Sequence, residues 1–279
     1  MISPPGLMLK RPGILIPVFF LSLFPVQATC QWPLPVAGSA ALGGCYITGH
    51  GFSTCTQNQA GLGFIEHSTF SFQHCRPYLL KEIGISSLSG QFRTGTGALG
   101  ISMASRGIKG FRQTSMWLSY GMKLNPGISA GVGIHLWNSA LPEQLIYAPG
   151  ISFALGLQIR INDHWKLGGR LFHPTGWYGK PTLTIQQSMA IETGFSYTFL
   201  DSGHLYSEIH FQPGKGLTLC NGLDWTFHQP TIFRTGVSTK PFAFSWGISQ
   251  EFRGWVLEFS FQCLTGSGVA PLTSISHAW

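Results

Sequence analysis

Met189-Ala190-Ile191-Glu192-Thr193-Gly194-Phe195-Ser196-Tyr197-Thr198-Phe199 decides how the whole chain is read. Met189, Ile191, Phe195, Tyr197 and Phe199 fall on one parity, and Ala190, Glu192, Gly194, Ser196 and Thr198 on the other. A strand points successive side chains to opposite faces, so this segment has one oily face and one small or polar face. The pattern recurs. Phe242, Phe244, Trp246 and Ile248 alternate with Ala243, Ser245, Gly247 and Ser249, and Trp255, Leu257, Phe259 and Phe261 with Val256, Glu258, Ser260 and Gln262.

Working outward, about 14 such segments follow His67, an even count of the kind bacterial single-chain barrels use. They fall roughly at 68–76, 82–92, 98–105, 113–123, 128–137, 151–161, 165–173, 188–199, 204–211, 217–227, 231–239, 242–252, 255–263 and 271–279. Asn125-Pro126-Gly127, Asn162-Asp163 and Arg253-Gly254 fit tight hairpins, whereas 138–148 and 174–187 read as longer loops. Short and long connections alternating in this way describe an up-and-down meander.

Composition says what the oily faces meet. Charged residues make up only 10% of the chain, against roughly 25% in soluble domains. No later segment supplies the 18 consecutive apolar residues of a spanning helix. The fold class is therefore an all-β transmembrane antiparallel up-and-down barrel of about 14 strands, preceded by a short N-terminal segment. Segments ending in Trp117, Tyr120, Trp137, Trp165, Trp225 and Trp255 are expected to form an interfacial aromatic girdle.

Residues 1–28 read as a secretory leader: Lys10 and Arg11, an apolar run from Ile14 to Phe24, and a Val26-Gln27-Ala28 cleavage context. An N-terminal anchor, or lipidation at Cys30, is the alternative. Residues 29–66 form a Gly/Ala-rich N-terminal segment and 67–279 the barrel. Export and lipid-facing strands together point to the outer membrane of a didermic bacterium. The formal charge of +7 suits anionic outer-membrane lipid, while singly scattered basic residues argue against nucleic acid.

The inward parity is mostly Gly, Ala and Ser, so the lumen has room for a packed segment or an apolar ligand. Candidate ligand or lumen residues are Asn58, Gly61, His135, Arg160, Glu208, His210 and Arg234. Glu208 and His210 share a strand face, where the carboxylate could polarise the imidazole. His50 lies near Ser53, but no G-x-S-x-G elbow accompanies any histidine, and no H-E-x-x-H, CxxC or Walker loop occurs. No catalytic residue, metal or cofactor is assigned, and the chain is read as a non-enzyme. Of six cysteines, Cys45 and Cys55 are the pair to test for a disulfide, while Cys220 and Cys263 lie in strands.

The N-terminal segment carries a recognisable pattern. Gly38-Ser39-Ala40-Ala41-Leu42-Gly43-Gly44, followed by Asn58-Gln59-Ala60-Gly61-Leu62, resembles the A-x-x-x-G-G … N-P-A-G-L opening of the PorV/PorQ branch of outer-membrane proteins, itself related to the FadL fatty-acid transporter barrels. Gln59 stands where that branch has Pro. The resemblance implies a 14-stranded barrel whose N-terminal segment is lumenal and plug-like, a hatch built from Gly43, Gly44, Asn58, Ala60, Gly61 and Leu62, and a host of the Bacteroidetes type. Two roles follow from it: a conduit or binding barrel for hydrophobic small molecules, or a non-transporting accessory component of an outer-membrane secretion or assembly complex.

Overall fold

A computed structural model describes residues 36–279 except 50, 109–110, 142–145, 174–188, 201, 229 and 267. The leader, Cys30, His50 and the 174–187 loop therefore lie outside the described residues. The strands are β1 (Thr69–Cys75), β2 (Ile85–Thr94), β3 (Gly97–Ile108), β4 (Phe111–Asn125), β5 (Ile128–Leu141), β6 (Ile146–Arg160), β7 (Trp165–Phe172), β8 (Ala190–Phe199), β9 (Gly203–Gln212), β10 (Gly216–His228), β11 (Thr231–Thr239), β12 (Phe242–Phe252), β13 (Trp255–Leu264) and β14 (Gly268–Ala278). Each pairs antiparallel with its sequence neighbour, and β1 pairs with β14 to close the barrel. Closure gives every described strand a partner on both sides, the condition for backbone to sit in hydrocarbon.

The parity read from sequence sets the two faces. Along β12 the phenylalanines and Trp246 are exposed and Ala243, Ser245, Gly247 and Ser249 are buried. Outward side chains such as Phe244 (47% exposed) and Phe259 (53%) form a continuous apolar exterior. Such a surface suits acyl chains, not water. Replacing Ile248, near the middle of β12, by Lys is expected to destabilise the barrel by about 2–4 kcal/mol, read as a lowered guanidinium midpoint in lipid vesicles.

One end of the barrel carries the short turns Gly95–Thr96, Pro126–Gly127 and Arg253–Gly254, together with the start of β1 and the end of β14. The other carries the two longest connections, residues 76–84 and the segment joining β7 to β8, beside short turns such as Lys240–Pro241. Barrels of this type keep short turns on the periplasmic side, so the first end is periplasmic. The 138–148 loop is shorter than its sequence suggested. β5 and β6 remain paired from Asn138–Pro149 out to Leu141–Ile146, because the ladder continues through Ser139 and Ala140.

Four of the six expected girdle aromatics lie on the outer wall. Tyr120, Trp165 and Trp255 are exposed on the outer wall, Trp165 against Tyr197 at 4.7 Å between ring centroids, and Trp225 meets Phe199 edge-on. Trp117 and Trp137 instead point inward and are buried. Trp117 shares its parity with Ser115 and Ser119, and position near a strand end cannot override the pleat.

Candidate functional site

The N-terminal segment fills the lumen. A helical turn, α1 (Ala37–Ala41), packs on β11–β14, and a 3-10 helix (Gln59–Phe64) packs on β3–β6 across the barrel. Asn58 caps that second helix: its Oδ1 accepts from Ala60 N at 3.2 Å, and its Nδ2 donates to Ile47 O at 2.7 Å. Ala60 and Leu62 are fully buried, Leu62 against Cys55 and Ala98. Gly43 and Gly44 both hold positive φ, +69° and +93°, a backbone that L side chains rarely adopt. A Cβ on Gly43 would also lie 2.6 Å from Val237 N.

The wall is dented to match. Gly131 of β5 faces the Gln59–Ala60 backbone at a separation no Cβ could share. Gly131→Val should therefore expel the 3-10 helix or distort β5. We expect a loss of about 1–3 kcal/mol and cleavage of the displaced segment by added protease while the barrel stays resistant.

Irregular backbone inside a barrel leaves polar groups to satisfy, and inward side chains satisfy them. Glu208 Oε1 accepts from both Tyr46 N and Ile47 N at 2.7 Å. Its Oε2 lies 2.9 Å from His210 Nε2. Gln158 Nε2 donates to Ile47 O at 2.7 Å and Gly49 O at 3.0 Å. Ser119 and Ser129 donate to Cys55 O and Ala60 O at 2.5 Å, and Gln91 donates to Gly51 O at 3.0 Å. The segment is latched through its main chain.

Charge is scarce but concentrated. Arg170 Nη1 meets Glu192 Oε2 at 3.0 Å with both side chains nearly inaccessible, and Nη2 reaches Thr56 O at 3.4 Å. Arg234 pairs with Glu258 at 2.6 Å, and Ser274 donates to the other carboxylate oxygen at 2.8 Å. Arg170 also lies over Phe172 at 5.0 Å and within 5.8 Å of Trp117. Around it is an aromatic nest in which His135 stacks on Trp117 at 4.3 Å and on Trp137 at 5.2 Å. Ser152 Oγ lies 2.9 Å from His173 Nδ1, but both side chains are fully buried and offer no nucleophile to solvent.

Among the candidate residues, Asn58, Gly61, His135, Glu208, His210 and Arg234 all lie in or on the plugged lumen. Arg160 does not join them. It sits at the periplasmic end of β6, exposed, with its guanidinium 4.0 Å from the Phe64 ring. There it lines a cavity of about 840 Å³ beneath the plug, together with Phe52, Ile65 and Lys166. The Cys45–Cys55 disulfide does not form, and both are free thiols. Cys45 packs with Tyr206 and Cys220 of β9 and β10, and Cys55 packs near β3 on the opposite wall. Burial pushes the Cys45 thiol well up and the Cys55 thiol up to about 11, so neither supplies the thiolate that exchange requires. Among the described residues no group of three or more His, Cys, Asp or Glu could hold a metal.

Sequence reasoning did not name Arg170, Glu192, Tyr46, Trp117 or Phe172 as site residues, although it set Glu192 on the polar face and Trp117 in the girdle. Parity alone would have found four of them, since each alternates with outward apolar neighbours. Tyr46, in the irregular segment, carries no such signal.

These features define a class: a closed, 14-stranded transmembrane barrel with its lumen occupied by its own N-terminal segment. Solved structures share that fold. The toluene transporter TbuX of Ralstonia pickettii aligns with a TM-score of 0.68 at 13% identity, over 87% of this chain and 98% of that one. The monoaromatic hydrocarbon channel CymD gives 0.69 at 14%, over 87% and 97%. The Pseudomonas putida toluene transporter TodX gives 0.66 at 11%, over 87% and 97%. No family model and no curated protein matches the chain.

Proposed function

We propose that this chain is an outer-membrane conduit for hydrophobic small molecules, exported by its leader and closed at rest by its N-terminal segment. The observation that carries the reading is the latched plug above a cavity open at the periplasmic mouth. A purely structural barrel has no need of a segment held by reversible hydrogen bonds over an open vestibule. The shared fold with toluene and monoaromatic hydrocarbon channels supports the same reading. The inward wall is mostly Gly, Ala and Ser, and its inward-facing Arg170 and Arg234 are each paired with a carboxylate, which suits apolar passage.

Liposomes loaded with a solvatochromic dye and containing the purified barrel test this. Toluene entry should exceed that of protein-free liposomes by about tenfold, while a sugar of similar size gains nothing. Equal toluene entry with and without the barrel overturns the conduit reading. The accessory-component role, and membership of the PorV/PorQ branch, gain no specific support from the fold.

A further inference from the structure

One surface of the barrel departs from the uniform apolar exterior. On the outer face of β1–β5, near the extracellular end, one cross-strand row reads His74, Ser86, Ser105, Thr114 and Asn138. All five face outward, where the next row toward the membrane centre is Phe72, Leu88, Met103, Met116 and Leu136. A groove of about 640 Å³ runs between these two rows. Its floor is formed by the inward residues Ser87, Ala104, Ser115 and Trp137, and its sides are exposed Phe72, Leu88 and Met103.

Cations stand on the extracellular side of the row. Arg76, the first residue after β1, donates to His74 at 3.2 Å, while His74 Nδ1 meets Ser86 Oγ at 3.0 Å. Arg112 lies two residues before Thr114 on β4, exposed on the same face. Among the described residues neither arginine has a carboxylate within 4.0 Å, and Glu82 is the one acid on the neighbouring turn. β1 and β4 are three strand spacings apart, about 14 Å. Between them stand hydroxyls. On the β1–β2 turn Tyr78, Leu79 and Leu80 are exposed, flanked by Arg76 and Lys81, an arrangement that seats a turn at a membrane interface.

We propose that this face holds one phosphorylated saccharolipid of the outer leaflet. One acyl chain lies in the groove, the sugar hydroxyls meet Ser86, Ser105 and Thr114, and two phosphates engage Arg76 and Arg112. A glycerolipid with one phosphate cannot span both cations. The assignment rests on membrane placement and orientation, and is independent of what passes through the lumen.

Native mass spectrometry of the full barrel from detergent tests it, with hexa-acyl bisphosphoryl lipid A and phosphatidylglycerol as probes. The wild-type barrel should retain one lipid A and discriminate against phosphatidylglycerol by at least tenfold. Arg76→Gln with Arg112→Gln should cut lipid A retention by about tenfold or more, the scale of one lost charge-assisted hydrogen bond. Thr114→Trp fills the groove, leaves both cations in place, and should reduce retention independently. Lys123→Gln with Arg253→Gln, cations at the opposite rim, should leave it unchanged. Heat-modifiable electrophoretic migration verifies folding of each variant. Equal retention of both lipids by the wild type, no change in the Arg76/Arg112 variant or in Thr114→Trp, or an equal loss in the opposite-rim variant overturns the proposal.

Discussion

Glu208→Ala is expected to open the barrel. Glu208 is fully buried on β9, and one of its oxygens receives two main-chain N–H groups of the plug, from Tyr46 and Ile47. Alanine leaves both donors, and the facing His210, without their acceptor in a site water does not reach. Stranding such groups costs about 1–3 kcal/mol for each neutral donor. Gln158 and Asn58 still hold the Ile47 carbonyl, so the segment loosens around residues 45–49 before it leaves the lumen. In planar bilayers the variant should show frequent ion-conducting openings where the wild type stays closed. Glu208→Gln keeps one carbonyl acceptor in place and should give an intermediate opening frequency. A closed Glu208→Ala barrel would mean that the latch lies elsewhere along the segment.

Arg170→Met should produce the largest loss of stability. The Arg170–Glu192 pair is buried on both sides, and the guanidinium also faces the Tyr46 hydroxyl and the Thr56 carbonyl. Removing the cation leaves Glu192 as an uncompensated buried charge, a loss of about 3–5 kcal/mol. Coulomb attraction at 3.0 Å is large in a low dielectric, but desolvating both ions consumes much of it. The double variant Arg170→Met with Glu192→Leu should therefore recover most of the loss. Guanidinium unfolding in lipid vesicles gives both differences. If the double variant falls as far as the single one, the pair contributes through packing against Phe172 and Trp117 and its charges matter little.

The candidate site was legible in part, and its limits follow from where parity applies. His135, Glu208, His210 and Arg234 were correctly read as inward, because each sits in a strand whose outward neighbours are unmistakably apolar. Trp117 and Trp137 were misplaced because an aromatic near a strand end resembles a girdle residue, although the serines on either side of Trp117 carried the answer. Arg160 obeys its parity yet lies below the plug, since depth along a strand depends on where the segment crosses. The Cys45–Cys55 pairing failed for the same reason: ten residues of sequence separate two thiols that the crossing segment carries to opposite walls.

The amino-acid pattern alone determined fourteen strands, their two faces, and closure into a ring. Period-two alternation is a local property, and a chain with so little charge has no soluble way to cover its oily side. Only the tertiary structure decided which wall glycines receive the plug, which inward side chains hold its main chain, and that Arg170 finds Glu192. Most of those contacts run between the wall and a segment with no periodicity of its own, some over more than a hundred positions, as with Glu208 and Tyr46, while Arg170 and Glu192 depend on the register of β7 against β8. What that segment offers the wall is mostly main-chain groups, which no sequence distinguishes.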